Sequence, residues 1–381
     1  MEIKIPLNVK NIIQTLQQCG FEAYAVGGCV RDILLGANVA DWDICTSALP
    51  QQIIDSFPQT RVCETGLKHG TVTLVMDGNG FEITTFRIDG EYRDNRRPES
   101  VEFVTSIESD LARRDFTVNA MAYNDDVGLV DRFGGVQDLK QKVIRCVGDP
   151  DARFNEDALR IMRGLRFASV LGFSIDKNTA SSMERNKSLL KNISPERISR
   201  ELSGLICGNK AGEVMAKAAA IIEEIIPEIA GKHNFLRIDH APKDLAIRLA
   251  ILLGKDAKSV LRRLKYDNRT ITEVGRLVKY SDADLEANPT SVKRWLNKLG
   301  AESLRRLVIL KQSDNINDII SEILEQGQCF SLSGLAVNGK DLIEAGIPQG
   351  PQIKAELNRL LDCVIDGTLE NNKYSLLAKL K

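Results

Sequence analysis

The sequence predicts an α+β fold in which a small mixed α/β head precedes a longer, entirely helical part. Short runs rich in β-branched and aromatic residues, bounded by Gly, Asn, Asp or Pro, predict strands and occur before residue 150. Beyond Asp149 and Pro150, Leu, Ile, Ala, Arg and Lys recur with helical spacing, and the β-branched runs disappear. The 381 residues are long enough for more than one domain with a sizeable core.

The predicted elements follow in chain order. In the head, a helix is expected at residues 50–57, and strands are expected at 23–26, 42–45, 71–76, 81–87 and 101–104. In the helical part, the clearest periodic stretches are residues 157–171, 211–226 and 244–253. Ser194 followed by Pro195 is typical of a helix N-cap and its first helical residue.

The composition excludes several classes of protein. Hydrophobic residues make up 43% and charged residues 27%, which argues against a disordered or fibrous chain. No apolar run reaches the roughly 18 residues of a membrane span, and the residues after Met1 lack the apolar segment of a secretory signal. The eight cysteines show no C-x-x-C spacing, so we expect neither a zinc site nor a disulfide framework. Buried thiols in a reducing compartment, the cytoplasm, are the expectation.

Charge is balanced overall but uneven along the chain. Lys and Arg number 51 and Asp and Glu 52, a net charge of −1 that provides no whole-molecule field for a polyanion. Residues 153–200 contain ten Lys and Arg against five Asp and Glu, and residues 255–311 contain fourteen against seven. Each stretch fits a solvated helix face, but two such stretches in a neutral protein favour a local phosphate-binding surface.

A glycine pair follows the first predicted strand. Gly27 and Gly28 precede Arg31 at the start of a helical pattern. Such a turn lets backbone N–H groups approach a phosphate, which an arginine nearby can also bind through two hydrogen bonds. A tight turn without a ligand is the alternative.

Two carboxylates lie on the next predicted strand. Asp41 and Asp43 are two residues apart, so on a strand both side chains project from one face. Their mutual repulsion calls for a cation, and two Mg²⁺ ions about 3.5–4 Å apart would suit in-line displacement at phosphorus. An exposed strand edge with two acids is the alternative.

Together these motifs resemble the signature of the class II tRNA nucleotidyltransferase and poly(A) polymerase family. Three later blocks match that family in order, and another is similar to the carboxyl end of bacterial CCA-adding enzymes. The blocks are residues 113–122, 156–160 running on to Arg163 and Arg166–Phe167, 194–198, and 337–342 through 351.

The resemblance implies four parts of the chain. Residues 1–148 would form the nucleotidyltransferase head, and residues 149–205 a helical neck with the nucleotide-selecting motif. Residues 206–325 would form a helical body and residues 326–381 a helical tail, both of which bind tRNA in the family.

The resemblance also implies roles for single residues of the head. Asp41 and Asp43 would be catalytic and hold Mg²⁺, while Gly28 and Arg31 would grip the triphosphate. Glu82, on the strand predicted at 81–87, is a candidate third metal ligand. A strand acid facing solvent or a structural partner is the alternative for Glu82.

The block that begins at residue 156 would select the nucleotide. On a continuous helix, Asp157 and Arg160 lie one turn apart on one face, where a surface ion pair is the alternative. A carboxylate accepts from the amino group of C or A, and a guanidinium donates to ring nitrogen or carbonyl acceptors. Arg163 and Arg166 continue along this helix, where arginines at three-residue steps would repel one another without an anionic ligand.

Arg113 and Arg114 complete the implied nucleotide site. They fall between the strands of the head and the helix of the nucleotide-selecting block. An internal ion-pair cluster, in which Asp115 is structural, is the alternative.

The function implied is Mg²⁺-dependent addition of CCA to tRNA 3′ ends from CTP and ATP, with release of pyrophosphate and no nucleic-acid template. An enzyme that adds only the terminal A, or a poly(A) polymerase of the same family, is the alternative. A polar loop at residues 92–98, which the family associates with addition of the final A, favours complete CCA addition or A addition over CC-only addition. The implied partners are tRNA, through its acceptor stem and stacked arm, and the two nucleotides, with no obligate protein partner and no membrane.

Overall fold

The structure, a computed structural model, describes residues 3–39, 41–63, 66–67, 70–90, 92–93, 97–98, 101–231, 234–313 and 315–380. The chain divides into two compact units, Met1–Asp239 and His240–Lys381. In the described part of the chain, none of the helices combines the length and apolar character needed to cross a membrane. The predicted α+β class is confirmed.

Strands are confined to the first unit among the described residues. They are β1 (Ala23–Val26), β2 (Asp43–Thr46), β3 (Arg61–Cys63), β4 (Thr71–Met76), β5 (Asn79–Thr85), β6 (Arg87–Asp89), β7 (Tyr92–Arg93), β8 (Arg97–Pro98), β9 (Val101–Phe103), β10 (Ala122–Asn124), β11 (Gly128–Val130), β12 (Val143–Ile144) and β13 (Ser174–Ile175). Seven of these described strands form one sheet in the order β11-β10-β1-β2-β5-β4-β3. Within this sheet β2 and β5 are parallel and the other neighbours antiparallel.

Both units contain α-helices. Those of the first unit are α1 (Leu7–Gln18), α2 (Gly28–Leu34), α3 (Pro50–Ser56), α4 (Ile107–Ala112), α5 (Gly135–Gln141), α6 (Pro150–Glu156), α7 (Leu159–Leu171), α8 (Lys177–Asn186), α9 (Pro195–Ile206), α10 (Ala211–Lys217), α11 (Ala219–Ile225) and α12 (Leu236–Asp239). Those of the second unit are α13 (Leu245–Leu253), α14 (Ala257–Arg263), α15 (Asn268–Tyr280), α16 (Pro289–Leu299), α17 (Ala301–Lys311), α18 (Asn315–Glu325), α19 (Gly339–Glu344), α20 (Pro351–Ile365) and α21 (Lys373–Ala378).

The sheet of the head follows the sequence pattern closely. The strands predicted at 23–26 and 71–76 are confirmed residue for residue, and the one predicted at 42–45 begins one residue later. The run at 81–87 is divided between β5 and β6 at Phe86, whose ring is fully buried and whose N–H donates to the carbonyl oxygen of Thr46 at 2.7 Å. Phe86 therefore leaves the ladder between β4 and β5 and contributes its ring to the core.

Two predicted helices differ from the structure: one begins later than predicted, and the other is interrupted. The stretch at 157–171 begins as a helix at Leu159, because Asp157 has an extended backbone with φ of −135° and ψ of 102°. The stretch at 211–226 is two helices, α10 and α11, separated at Ala218. Helical periodicity did not reveal either interruption.

Each unit has its own apolar core. In the first unit, the buried side chains of Tyr24, Cys45 and Phe86 pack with Leu111 from α4. In the second unit, a separate cluster centres on Leu360 of α20. The finer division into head, neck, body and tail stays a prediction.

Candidate active site

The predicted site residues converge on one cleft in the first unit, with a volume of about 690 Å³. Its lining includes every site residue predicted from the sequence except Glu82. The predicted residues in the cleft are Gly28, Arg31, Asp41, Asp43, Arg113, Arg114, Asp157, Arg160, Arg163 and Arg166. Sequence reasoning assigned no role to several others that line it, namely Asp32, Asn38, Asn119, Phe167 and Arg197.

The glycine turn brings the backbone of the head close to Arg114, which is partly buried. Gly27 has φ of 82°, a left-handed conformation that favours glycine, and its N–H donates to the carbonyl oxygen of Met121 at 3.0 Å. A Cβ at Gly27 would lie 2.9 Å from Nη1 of Arg114. Position 27 therefore requires glycine for two reasons: its φ is positive, and a side chain there would collide with the guanidinium of Arg114.

Arg31 on α2 is fixed from two sides. Its Nε and Nη2 donate to the two carboxylate oxygens of Asp32 at 2.8 and 3.0 Å. Its Nη1 donates to Oδ1 of Asn119 at 2.6 Å. This bonding holds the guanidinium at the wall of the cleft.

The paired carboxylates lie at the start of β2. The prediction that both lie on the strand is wrong for Asp41, which precedes β2 and is exposed, whereas Asp43 is its first residue. Loss of surrounding water raises the pKa of Asp43; Arg114 opposes this shift and the charge of Asp41 adds to it. The two acids are thus close enough to repel one another, and their carboxylate oxygens are ligands that a hard divalent cation prefers.

Glu82 faces Asp43 across the parallel pair of strands. The register of β2 and β5 places the Cα atoms of Asp43 and Glu82 opposite one another. Opposed residues on neighbouring strands project from the same face of a sheet. Among the described residues, however, no three His, Cys, Asp or Glu side chains are grouped to hold a metal ion, so a metal role for Glu82 stays a prediction.

Asp110 anchors the two adjacent arginines predicted for the nucleotide site. Its fully buried carboxylate pairs with Arg113 at 2.7 Å and with Arg114 at 3.1 Å. Burial alone would raise the pKa of Asp110, but the two guanidinium groups hold it below its usual value. The internal ion-pair cluster left open by the sequence is therefore present, and the same arginines line the cleft.

The arginines of α7 each have a carboxylate partner. Arg160 pairs with Glu156 at 2.6 Å, Arg163 with Asp115 at 2.7 Å, and Arg166 with Glu201 of α9 at 2.5 Å. The inference that this row needs an anionic ligand to offset its own repulsion is therefore wrong. The partners come from α6, from the segment after α4 and from α9, which the sequence spacing could not show.

Asp157 is not on one helix face with Arg160. It lies between α6 and α7, where Oδ1 accepts the N–H of Leu159 at 3.1 Å and Oδ2 pairs with Arg197 at 2.8 Å. Arg160 instead donates to the carbonyl oxygen of Arg113 at 3.0 Å and is almost fully buried. Both side chains nevertheless line the cleft, because the extended residue at the helix break turns Asp157 toward it.

The ring of Phe167 is in contact with three arginines. The guanidinium carbons of Arg31 and Arg163 both lie 5.3 Å from the ring centroid, and that of Arg166 lies 4.3 Å away. Phe116 supports the ring from the core in an edge-to-face contact at 5.9 Å. These distances are within the range of cation–π attraction. The sequence placed Phe167 beside Arg166 but carried no signal for the approach of Arg31.

The fold and the cleft define a nucleotidyltransferase. Paired carboxylates at the start of a strand, a glycine turn beside them and arginines on a following helix form the arrangement expected for nucleotidyl transfer. Residues 23–145 match the family described as the Poly A polymerase head domain, and residues 172–232 match the one described as the probable RNA and SrmB-binding site of polymerase A. Residues 243–380 match tRNA nucleotidyltransferase domain 2.

Full-length relatives identify the family. The chain is 40% identical to the CCA-adding enzyme of Geobacillus thermodenitrificans, over 97% of this chain and 95% of that protein. It is 37% identical to that of Geobacillus kaustophilus, over 97% and 95%. A crystal structure of the Bacillus stearothermophilus CCA-adding enzyme in complex with CTP matches it with a TM-score of 0.84 and 34% identity, over 99% of this chain and 97% of that one.

The chain belongs to the family of CCA-adding enzymes. Nucleotidyltransferases of this family use divalent metal ions.

Proposed function

We propose that this chain adds CCA to the 3′ ends of tRNA from CTP and ATP, without a nucleic-acid template and with Mg²⁺ as its metal. The observation that carries the proposal is the convergence of the glycine turn, both aspartates and the arginine row on one cleft. It is supported by the near-complete alignment with CCA-adding enzymes, of which one was solved with CTP. Because full-length relatives are CCA-adding enzymes, a poly(A) polymerase or an A-only enzyme is not favoured.

Asp41 and Asp43 would hold the divalent ions. A divalent cation would be bound by their carboxylate oxygens and would relieve the repulsion between the two charges. Its remaining coordination positions would be filled by water and phosphate oxygens. When bound, such ions neutralise the triphosphate and favour ionisation of the attacking 3′ hydroxyl. Arg114 stays beside Asp43 and limits the repulsion at the site.

The arginines and the glycine turn would bind and orient the nucleotide. Arg31 is fixed by Asp32 and Asn119, and Arg113 is fixed by Asp110. Because both side chains are already ordered, they lose little conformational entropy when the nucleotide binds. Guanidinium groups match phosphate oxygens through paired hydrogen bonds. Gly28 leaves the backbone open to the triphosphate at the turn.

Asp157 would choose the base. Each carboxylate oxygen can accept more than one hydrogen bond, so Arg197 and the N–H of Leu159 leave capacity for the amino group of C or A. G and U present a carbonyl oxygen there, and two facing acceptors would leave both unpaired. An unpaired buried polar group costs about 1–3 kcal/mol.

The loop, the compartment and the RNA partner complete the proposal. Residues 94–96 of the loop predicted at 92–98 lie outside the described residues. The buried thiols of Cys29, Cys45 and Cys146 are free and support a reducing compartment, the cytoplasm.

We assign tRNA binding to the helices beyond the cleft, where residues 255–311 carry the basic excess.

The test is incorporation into defined transcripts. tRNAs that end before CCA, after C and after CC are incubated with each nucleotide singly and with both, and their 3′ ends are sequenced. We expect completion to CCA in every case. Addition of A alone to the CC-ended tRNA, with no C added to any transcript, would refute CCA addition, and long A tails on unrelated RNA would indicate a poly(A) polymerase.

Replacing Asp41 tests the metal assignment in the same assay. We expect Asp41→Ala to abolish incorporation because a carboxylate ligand is lost, while tRNA binding measured without nucleotide stays close to wild type. Asp55→Ala, an exposed acid on α3, is the matched control and should incorporate normally. Incorporation by Asp41→Ala at the wild-type rate would contradict the assignment.

A further inference from the structure

A cluster of two lysines and two aromatic rings lies on the second unit. Helix α15 carries Lys279 and Tyr280, and α16 carries Trp295 and Lys298. The rings pack edge to face, with centroids 5.3 Å apart and 76° between their planes. Nζ of Lys298 lies 4.3 Å from the centroid of the Tyr280 ring and 4.5 Å from that of Trp295. Nζ of Lys279 lies 5.2 Å from the centroid of the Tyr280 ring, so both ammonium groups lie within cation–π range of the same ring.

In the described part of the chain, the two ammonium groups lack a carboxylate partner. Among the described residues, no ion pair joins Lys279 or Lys298 to an acid. Neighbouring arginines differ, since Arg294 pairs with Asp366 at 2.6 Å and Arg306 with Asp244 at 2.8 Å. Two ammonium groups beside one ring at an exposed surface would both be stabilised by an anion.

A third donor lies beside the two lysines. Burial of the ring alone would raise the pKa of the Tyr280 hydroxyl, but Lys279 and Lys298 lower it overall. Both ammonium groups therefore act on the phenol oxygen, and its O–H can donate to the same acceptor. The lysine side chains are exposed and the rings half-buried, so this surface is open to a large partner.

We propose that Lys279, Tyr280, Trp295 and Lys298 form an RNA-binding site in which the lysines and the tyrosine hydroxyl contact backbone phosphates. The inference rests on the proposed function, because the RNA would be the tRNA substrate. Clustered ammonium and phenol donors match phosphate oxygens, and lysines interleaved with aromatic rings are typical of nucleic-acid surfaces. The rings act by holding the lysines in place, since cation–π contacts restrict long side chains that would otherwise be mobile.

The charges are tested by direct binding of tRNA in the absence of nucleotide. The double variant Lys279→Gln/Lys298→Gln is compared with wild type and with Lys4→Gln/Lys140→Gln, two exposed lysines of the first unit. We expect the Kd of the first variant to rise about tenfold at low salt, and the slope of log Kd against log salt to fall by about two. The control should stay within about twofold of wild type.

The rings are tested by Trp295→Leu, with circular dichroism to check folding. We expect weaker tRNA binding, because the lysines lose their support. A Kd for the lysine double variant within about twofold of wild type, or an equal loss in the control, would overturn the site. Wild-type binding by a folded Trp295→Leu would overturn the role of the rings.

Incorporation by the wild-type protein separates this inference from the proposed function. If wild type completes CCA and the lysine variant binds tRNA normally, the RNA site is refuted and the proposed function stands. If wild type adds no nucleotide but binds tRNA, and the lysine variant loses that binding, the proposed function is refuted and the RNA site stands.

Discussion

At the residue scale, ion pairs and hydrogen bonds among the charged side chains of the cleft fix their positions in the absence of substrate. Asp115 accepts from Arg163 and Asn119, and Asp110 accepts from Arg113 and Arg114. Burial alone would raise the pKa of Asp115, but Arg163 keeps it below its usual value. Each arginine is thus fixed by a carboxylate on one side and remains open to the cleft on another.

Asp110 is predicted to stabilise the fold in a pH-dependent way. Asp110→Asn should lower the free energy of unfolding at neutral pH by about 3–5 kcal/mol, because a buried ion pair is broken and two partly buried guanidinium groups lose their counter-charge. The pKa of Asp110 is lowered in the folded protein, so its contribution is complete above the unfolded value of about 3.9 and is lost as pH falls below it.

The measurement is urea unfolding of wild type and Asp110→Asn from neutral pH down to acid. The difference between the two proteins should shrink as pH falls below about 4. The exposed Asp55→Asn is the control and should match wild type throughout. A difference that stays constant with pH would contradict an ion-pair role for Asp110.

Asp157 is predicted to set the choice of base. Asp157→Ala should reduce the preference for CTP and ATP over UTP and GTP, measured as ratios of kcat/KM, by about tenfold or more. The physical reason is that the alanine leaves no acceptor to pair with an amino group or to oppose a carbonyl. Unchanged discrimination against UTP and GTP, with a general fall in rate, would show that Asp157 only supports Arg197.

At the element scale, close helix packing depends on small residues. A Cβ at Gly164 of α7 would meet the terminal methyl of Met183 and lie 2.9 Å from Cζ of Phe116. Met183 and Phe116 are buried, so neither can move freely. The packing of α7 on the core therefore requires glycine at a position where helix propensity alone would favour alanine.

Two glycines in helix interiors make a matched pair. Gly164→Ala should destabilise the protein, because overpacking costs about 1–3 kcal/mol and exceeds the gain in helix propensity. Gly275→Ala on α15 should stabilise it by about 0.5–1 kcal/mol, since a Cβ there meets nothing within 4 Å. Thermal unfolding of both variants gives the comparison, and a gain from Gly164→Ala would show that α7 can shift without cost.

At the scale of the whole molecule, the chain consists of two units with separate cores. The charge excess predicted for residues 153–200 is largely neutralised within the first unit, for example by Asp115 and Glu201. In the excess at 255–311, Lys279 and Lys298 contact aromatic rings and have no ion pair with any acid among the described residues. The net charge of residues 153–200 therefore overstates how much positive charge is free to bind phosphate. The net charge of residues 255–311 is a better guide to a phosphate-binding surface.

Separate cores predict separable unfolding. Leu360→Ala should lower the transition of the second unit, since removing a fully buried leucine costs about 2–5 kcal/mol. Gly164→Ala should lower that of the first, so each variant is the control for the other. Differential scanning calorimetry would show two transitions that respond to one variant each. A single transition lowered by both would mean that the units unfold together.

Sequence by itself determined the fold class, several strands and ten of the nineteen residues that line the cleft. Strands such as β1 and β4 follow from local alternation and bounding turns, which act over a few residues. The site residues were found because their types and order match a family whose chemistry requires them. These are properties of neighbours along the chain.

Tertiary structure alone decided which charges meet. The partners of Arg163 and Arg166 lie 48 and 35 residues away along the chain, and Asp157 meets Arg197 across 40. Local periodicity carries no information on such contacts, and so it placed Asp157 on a helix that in fact begins two residues later. Long-range ion pairs and close packing, which depend on the whole folded chain, fixed the state of each cleft residue.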